Sequence, residues 1–307
     1  MKAIAIDQYG PLTNLHEVQL PTPQIGADEV LVQVKATSVN PIDWKARQGL
    51  LQDMFSWDFP VVLGWDLSGV IIQTGQDVTQ FKVGDEVFAR PDIDKDGRRG
   101  TYADYAAVKE DKLALKPKNV SFEDAAAIPL AGLTAWQVVV DRLHVKRGDK
   151  ILVQAGAGGV GLFAIQIARY LGAYVATTAS AENRQFLLDL GADEVIDYHQ
   201  QKITDVLKDY DAVFDTVGDL TGGLAILKPT GKLVTIVGQP KKSEQPMAES
   251  WWLQPNGQEL KKLGELVSQG HIKVILDETL PLNEAGVQAA HRRSEGHHAR
   301  GKIVLVN

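Results

Sequence analysis

A chain of 307 residues with 44% apolar content can bury a substantial core and has the length of about two domains. Its net charge of −7 excludes the basic footprint of a nucleic-acid binder, and no apolar run approaches the ~18 residues of a membrane span. There are no cysteines, which excludes disulfides, thiol nucleophiles and every thiolate metal site.

In chain order, Asp7 falls where a secretory signal would need an unbroken apolar run, so a cytoplasmic location is expected. Lys2 to Ile6 and Glu29 to Ala36 alternate, and Gly69 to Gln73 and Glu86 to Ala89 are short β-rich runs. Turn signals separate them: Tyr9-Gly10-Pro11, Pro21-Thr22-Pro23, Gly75-Gln76-Asp77 and Val83-Gly84-Asp85. Short strands between regular turns predict a small barrel or sandwich. Ile93 to Gly100 is polar and reads as an exposed loop.

At Ser121 the pattern changes. Ser121 is placed to cap a helix, with Asp124 three residues on, and Gly132 to Leu143 continues helically. From Lys150 the chain alternates strand and helix. Strands are expected at Lys150–Gln154, Tyr174–Thr178, Glu194–Ile196, Ala212–Thr216 and Lys232–Val237, with Gly172 and Gly191 where helices end. This is the pattern of a doubly wound parallel sheet. Ser250 to Gln254 is a plausible last strand, Gln258 to Val267 a helix, and Lys302 to Val306 a final strand returning to the first domain, because a lone strand needs a sheet to pair with. The expected domains are 1–120 with 256–307, and 121–255.

The most informative stretch is Ile151 to Leu171. An apolar run is followed by Gly156, Gly158, Gly159 and Gly161 in G-x-G-x-x-G order, with Val160 between the last two, and then by an amphipathic segment. Strand, glycine turn and helix are the context that a dinucleotide fingerprint needs. Gly156 permits the turn, Gly158 lets a pyrophosphate approach the main chain, and Gly161 lets the helix pack on the strand. The helix start then offers unpaired N–H groups to the phosphates.

Taken together, several motifs resemble the medium-chain dehydrogenase/reductase superfamily, in its zinc-independent quinone oxidoreductase type and near the plant enone oxidoreductases. They are Ser38-Val39-Asn40-Pro41-Ile42-Asp43, Gly64-Trp65-Asp66-Leu67-Ser68-Gly69, Phe81-Lys82-Val83-Gly84-Asp85-Glu86-Val87, Pro129-Leu130-Ala131-Gly132-Leu133-Thr134-Ala135, the glycine turn, Leu190-Gly191-Ala192-Asp193 and Arg300-Gly301-Lys302-Ile303-Val304-Leu305. The resemblance covers essentially the whole chain. It implies a GroES-like barrel domain, a Rossmann domain, a cleft between them, a homodimer, and an enzyme that uses NADP(H) to reduce a small electrophilic acceptor. Zinc members of the superfamily hold their metal with cysteine and histidine; the matching positions here look like Asn40 and Trp65, so no metal is expected. Without a Lewis acid nothing obvious ionises a bound alcohol, and reduction of an enone or a quinone is the better reading. A non-catalytic NADPH-binding protein is the alternative from another class.

Each candidate residue has a plainer reading beside its functional one. Asn40 and Asp43 either cap a short helix or line the acceptor site. Lys45 is either a solvated partner of Asp43 or, as the resemblance implies, a contact of cofactor and substrate. Trp44, Trp57 and Trp65 wall a pocket or fill the core. Thr134 lies beside the nicotinamide in relatives, or bonds back along its helix. Tyr198 lies near the adenosine phosphate or packs at the sheet edge. Val237, Gly301 and Lys302 are placed by the resemblance near the cofactor.

For the cofactor's form, the second parallel strand ends at Ala179-Ser180 without the acid that bonds a ribose 2′-hydroxyl. Ser180, Asn183 and Arg184 are placed to meet a 2′-phosphate, with a solvated Arg184 as the plain alternative. Glu182 is the acid that would favour NADH.

Overall fold

In the computed structural model, which describes residues 1–93, 97, 99–244 and 247–307, the chain divides into two units. One joins Met1–Leu133 to Pro255–Asn307; the other is Thr134–Gln254. Of the expected loop at Ile93 to Gly100, residues 94–96 and 98 lie outside the described residues.

The first unit is built on β1 (Lys2–Ile6), β2 (His16–Gln19), β3 (Glu29–Val39), α1 (Pro41–Arg47), β4 (Val61–Val62), β5 (Leu67–Thr74), β6 (Glu86–Ala89), β7 (Tyr105–Lys109) and β8 (Leu113–Leu115), followed by α2 (Phe122–Ala127) and the start of α3 (Pro129–Trp136). β3 runs past the expected Ala36 because its C-terminal half is buried on both faces. It pairs antiparallel with β5 on one side. On the other side it takes β7 near its start and a late strand near its end. Ser121 caps α2 as its spacing predicts, its hydroxyl accepting from the Asp124 amide at 3.0 Å. α2 packs on β3 and β5, so it belongs to this unit rather than starting the next.

The second unit holds β9 (Lys150–Val153), α4 (Gly159–Tyr170), β10 (Tyr174–Ala179), α5 (Arg184–Leu190), β11 (Glu194–Asp197), α6 (Ile203–Val206), β12 (Tyr210–Asp215), α7 (Leu220–Ala225), β13 (Leu227–Thr235) and β14 (Ala248–Ser250). The strands form one parallel sheet in the order β11-β10-β9-β12-β13-β14. The chain winds outward in both directions from β9, so the switch point lies between β9 and β12, where such sheets bind ligands at their carboxyl ends. α3 ends in a wider π-helical turn, Gln137–Arg142. The last strand stands earlier than expected. The Trp251 amide still bonds the Thr235 carbonyl of β13 at 2.9 Å, and beyond it the chain leaves the sheet under the hold of Gln137: its Oε1 accepts from the Trp251 indole and the Gln254 amide, both at 3.1 Å, and its Nε2 donates to the Gln254 carbonyl at 2.7 Å.

The chain then returns to the first unit through α8 (Gly257–Ser268), β15 (Leu276–Pro281), α9 (Glu284–Glu295) and β16 (Lys302–Val306). β16 inserts between β15 and β3, with Ile303 opposite Val39 and Val306 opposite Ala36. β15, LDETLP, is half-exposed and carries no apolar alternation to betray it. Leu305 is fully buried in a core with Ile4, Ile6, Leu63 and Val287. Leu305→Ala should therefore cost about 2–5 kcal/mol, read as a lower denaturant midpoint at unchanged slope.

Candidate active site

In the second unit the glycine turn has the geometry of an anion cradle. Ala155 is held at φ 50, a strained position for a residue with a Cβ; its amide is tied to Thr178 Oγ1 at 2.9 Å and the next amide to the Thr178 carbonyl at 3.0 Å. A Cβ on Gly156 would lie 2.1 Å from Thr177 Oγ1, and one on Gly161 would lie 2.5 Å from the Ala155 carbonyl. Those two glycines are required by the protein's own packing. Gly158 is not: its φ is −75, and an added Cβ meets only the Ala155 carbonyl at 3.4 Å. The space above Gly158 is free for a ligand. Gly158 caps α4 without a side-chain acceptor, and Leu162 is the first amide to bond back, at 3.0 Å to Gly158. The amides of Gly159, Val160 and Gly161 thus open the helix toward an anion. These residues fit a dinucleotide pyrophosphate.

Two further groups at the switch point escape a motif search. The register that pairs Val153 with Phe214 sets Gln154 beside Asp215 at the carboxyl ends of β9 and β12. Both are buried, and Gln154 Oε1 and Asp215 Oδ2 have no hydrogen-bond partner. The other oxygen of Asp215 accepts from the amides of Val217 and Gly218 at 3.0 and 2.8 Å and so shapes the following turn. The only advance signal was their place at strand ends.

Around the end of β10, Ser180 accepts from Asn183 Nδ2 at 3.0 Å and donates to Glu182 at 3.3 Å. Arg184 opens α5, but its guanidinium is neither loose in solvent nor wholly available: Nη1 donates to the Val195 carbonyl on β11 at 2.6 Å. Tyr198 is 57% exposed with its ring against His199, so it does not pack at the sheet edge. Val237 lies in the turn after β13, where Thr235 Oγ1 accepts its amide at 3.0 Å. Thr134 is buried in α3.

The first unit brings Asn40, Asp43 and Lys302 together with Asp66, Ser38 and Arg90 in one buried polar cluster. Asp43 does cap α1, accepting the Asn40 amide at 2.6 Å and the Gly64 amide at 3.1 Å. The Asn40 side chain completes the capping box and has partners beyond it. Its Nδ2 donates to Asp66 Oδ2 at 2.8 Å, and its Oδ1 accepts from the Lys302 ammonium. Lys302 also donates to the Val39 carbonyl at 3.2 Å and lies 3.5 Å from Asp66. The Lys302 ammonium, placed near the cofactor by the resemblance, finds its partners here inside the cluster. Gly301 serves the approach, since at φ 103 a Cβ there would lie 2.3 Å from the Ile275 carbonyl. Asp66 additionally accepts from Ser38 at 2.5 Å and from the Leu130 amide at 2.7 Å. Arg90 stands across the strand pair from Asp66, its Nη1 on the Pro91 carbonyl and its Nε without a partner.

Burial pushes the Asp43 carboxyl up to about 7; neighbouring Asp66 adds to this, while the Asn40 amide and Lys302 oppose it. Tyr102 bonds to the same carboxyl and meets His291 Nε2 at 3.2 Å. Burial lowers His291 to about 3, so its ring is neutral. Lys45 does not pair with Asp43, which is sealed in the interior. The lysine is half-buried on α1, its Nζ 5.6 Å from the Trp44 ring. Trp57 and Trp65 belong to the core, their rings stacked 6.0 Å apart, rather than to an open pocket wall.

Comparison with known proteins agrees with this geometry. Residues 26–118 match the alcohol dehydrogenase GroES-like domain, and residues 190–305 match a family described as zinc-binding dehydrogenase. The chain is 38% identical over 311 residues to an NADPH-dependent alkenal/one oxidoreductase, chloroplastic, of Arabidopsis thaliana, covering 99% of this chain and 79% of that one. It is 35% identical, with the same coverage, to a 2-methylene-furan-3-one reductase of Solanum lycopersicum. Among solved structures, the quinone oxidoreductase from Coxiella burnetii superimposes with a TM-score of 0.90 at 37% identity, covering 100% of this chain and 99% of that one. The Escherichia coli quinone oxidoreductase complexed with NADPH does so with a TM-score of 0.86 at 27% identity over the full length of both chains.

Zinc does not fit the residues present. The chain has no thiolate, Asn40 is bound to a lysine ammonium, and Trp65 offers an indole packed in the core. Zinc needs three or four nitrogen, sulfur or carboxylate ligands converging on one point, and among the described residues no such group occurs.

Two outcomes follow. Gly158→Ala should leave the melting temperature within the small range of a surface substitution, roughly 0.5 kcal/mol, yet weaken dinucleotide binding in a fluorescence titration, because the added methyl fills the ligand's space. Asp43 binds protons more tightly folded than unfolded, so its contribution to stability is present at acid pH and is lost as pH rises through about 7. Asp43→Asn should therefore flatten the fall in stability between about pH 4, the ordinary carboxyl value, and about pH 7, measured by denaturant melts across that range.

Proposed function

Since the chain belongs to the medium-chain dehydrogenase/reductase superfamily, in its quinone oxidoreductase branch, we propose that it is an NADPH-dependent, zinc-independent reductase of α,β-unsaturated carbonyls and quinones. The observation that carries this reading is the open, helix-capping Gly158; the buried cluster around Asn40 offers no thiolate or imidazole that could ligate zinc.

NADPH, when bound, supplies the hydride. The amides of Gly159, Val160 and Gly161 hold its pyrophosphate at the start of α4. Ser180, Asn183 and the free edge of Arg184 receive the 2′-phosphate; β10 itself ends without a carboxylate, and Glu182, which accepts from Ser180 at 3.3 Å, turns away to admit it. Tyr198 and Val237 flank the nucleotide, and Thr134 the nicotinamide.

At the acceptor, a hydride arriving at the β-carbon of an enone drives charge onto the carbonyl oxygen. Hydrogen-bond donors and cations aimed at that oxygen lower the barrier. Asn40 and Lys45 supply them, with Asp43 fixing the turn that carries both. Asp43 is interior and its role is positional. Catalysis is then a matter of placement and electrostatics, with no nucleophile. Assembly as a homodimer is part of this proposal; among the described residues β14 is an edge strand of the parallel sheet.

The test follows NADPH absorbance against enones, quinones, aldehydes and alcohols, with and without a chelator. Turnover of the first two classes, indifferent to chelation, is expected. Turnover of none would leave a nucleotide-binding protein. Lys45→Ala should lower kcat for enones about 10²–10³-fold, as loss of one transition-state donor does, with NADPH affinity nearly unchanged. Equal losses in both would return Lys45 to cofactor binding alone.

A further inference from the structure

The two ends of the Asn40 carboxamide are held by opposite charges. Lys302 Nζ donates to Oδ1, and Asp66 Oδ2 accepts from Nδ2 at 2.8 Å. A flipped amide would set its NH₂ against the ammonium and its oxygen against the carboxylate, so one orientation is enforced. Nδ2 carries two hydrogens, and the bond to Asp66 uses one. Ser38 and the Leu130 amide fix Asp66 from its other sides, and the Val39 carbonyl fixes Lys302. The arrangement exceeds what capping α1 requires, because the Asp66 and Lys302 contacts lie outside the capping box that Asn40 and Asp43 form. Burying an ammonium and a carboxylate is costly unless both are well paired. A cost of that kind at one asparagine side chain calls for a purpose there.

Building on the reductase reading, we propose that Asp66 and Lys302 are positioning residues that orient and polarise Asn40, so that its second Nδ2 hydrogen is presented to the acceptor's carbonyl oxygen. A cation on the amide oxygen draws electron density from the nitrogen and makes its N–H a stronger donor, as linked hydrogen bonds polarise one another in a low-dielectric interior. No covalent bond to the protein forms. The hydride adds to the β-carbon, the C=C pair shifts toward the carbonyl, and the negative charge gathers on the oxygen that the N–H meets. The α-carbon then takes a proton from water. A quinone spreads the same charge through an aromatic ring and asks less of the donor, so the device acts as a specificity element for enones.

The experiment measures kcat and KM for one enone and for benzoquinone, together with the NADPH dissociation constant and the melting temperature, in wild type, Asn40→Ala, Lys302→Met, Lys302→Arg and Asp66→Asn/Lys302→Met. The double variant removes both charges together, so neither is left unpaired if Lys302→Met alone fails to fold. Asn40→Ala keeps the ion pair intact. The expected result is a fall in enone kcat of about 10²-fold in every folded variant except Lys302→Arg, which recovers part of it. KM and NADPH affinity should change little, and the loss for benzoquinone should be clearly smaller. Equal losses for both acceptors, or wild-type rates in Asn40→Ala, would overturn the proposal and leave the cluster a scaffold. Wild-type protein that reduces neither acceptor would instead overturn the reductase reading, and this inference with it.

Discussion

The antiparallel register between β16 and β3 is the constraint on which the acceptor-side chemistry depends. Placing Ile303 opposite Val39 puts the next residue of each strand, Lys302 and Asn40, within hydrogen-bond reach across a sequence gap of more than two hundred positions. Strand pairing has a side-chain period of two, so a slip of one residue would turn Lys302 to the other face. The slip is resisted because Ile303, Val304 and Leu305 are all buried. A hydrophobic pattern thereby determines where a charge stands.

The second unit solves a different problem by simpler means. Its parallel order reverses at β9, and the steric demands of Gly156 and Gly161 come from the turn and the helix that follow. Gly158 has no such steric demand; it caps α4 and leaves the space above it open. Steric need thus separates the two glycines the fold requires from the one it does not, which a motif pattern alone does not do.

Much of this was legible beforehand. Glu86–Ala89 and Lys302–Val306 were read at their observed bounds because apolar runs ended at clear turns. The parallel order of β9 to β13 followed from strand–helix alternation. The failures have physical reasons. β15 is half-exposed and α9 follows it, so neither offered strong periodicity. Residues 251–254 have a strand's apolar composition but are captured by Gln137, a contact more than a hundred positions away. Lys302 stood in a recognisable motif, yet the direction of its side chain depends on a tertiary register that no local window contains. Asp66 stood in a motif beside Trp65, the departure from the zinc pattern; its role as the acceptor for Ser38, Asn40 and the Leu130 amide was not legible there.

The burial of His291 and Lys302 has one more consequence. Conjugated carbonyls are alkylating agents that modify thiolates first and exposed imidazoles and amines after them. This chain has no cysteine. Beside its acceptor cluster the imidazole is fully interior, and the ammonium is enclosed among oxygen partners. The cluster itself therefore offers an electrophile no nucleophile to alkylate, and such damage is left to residues on the surface.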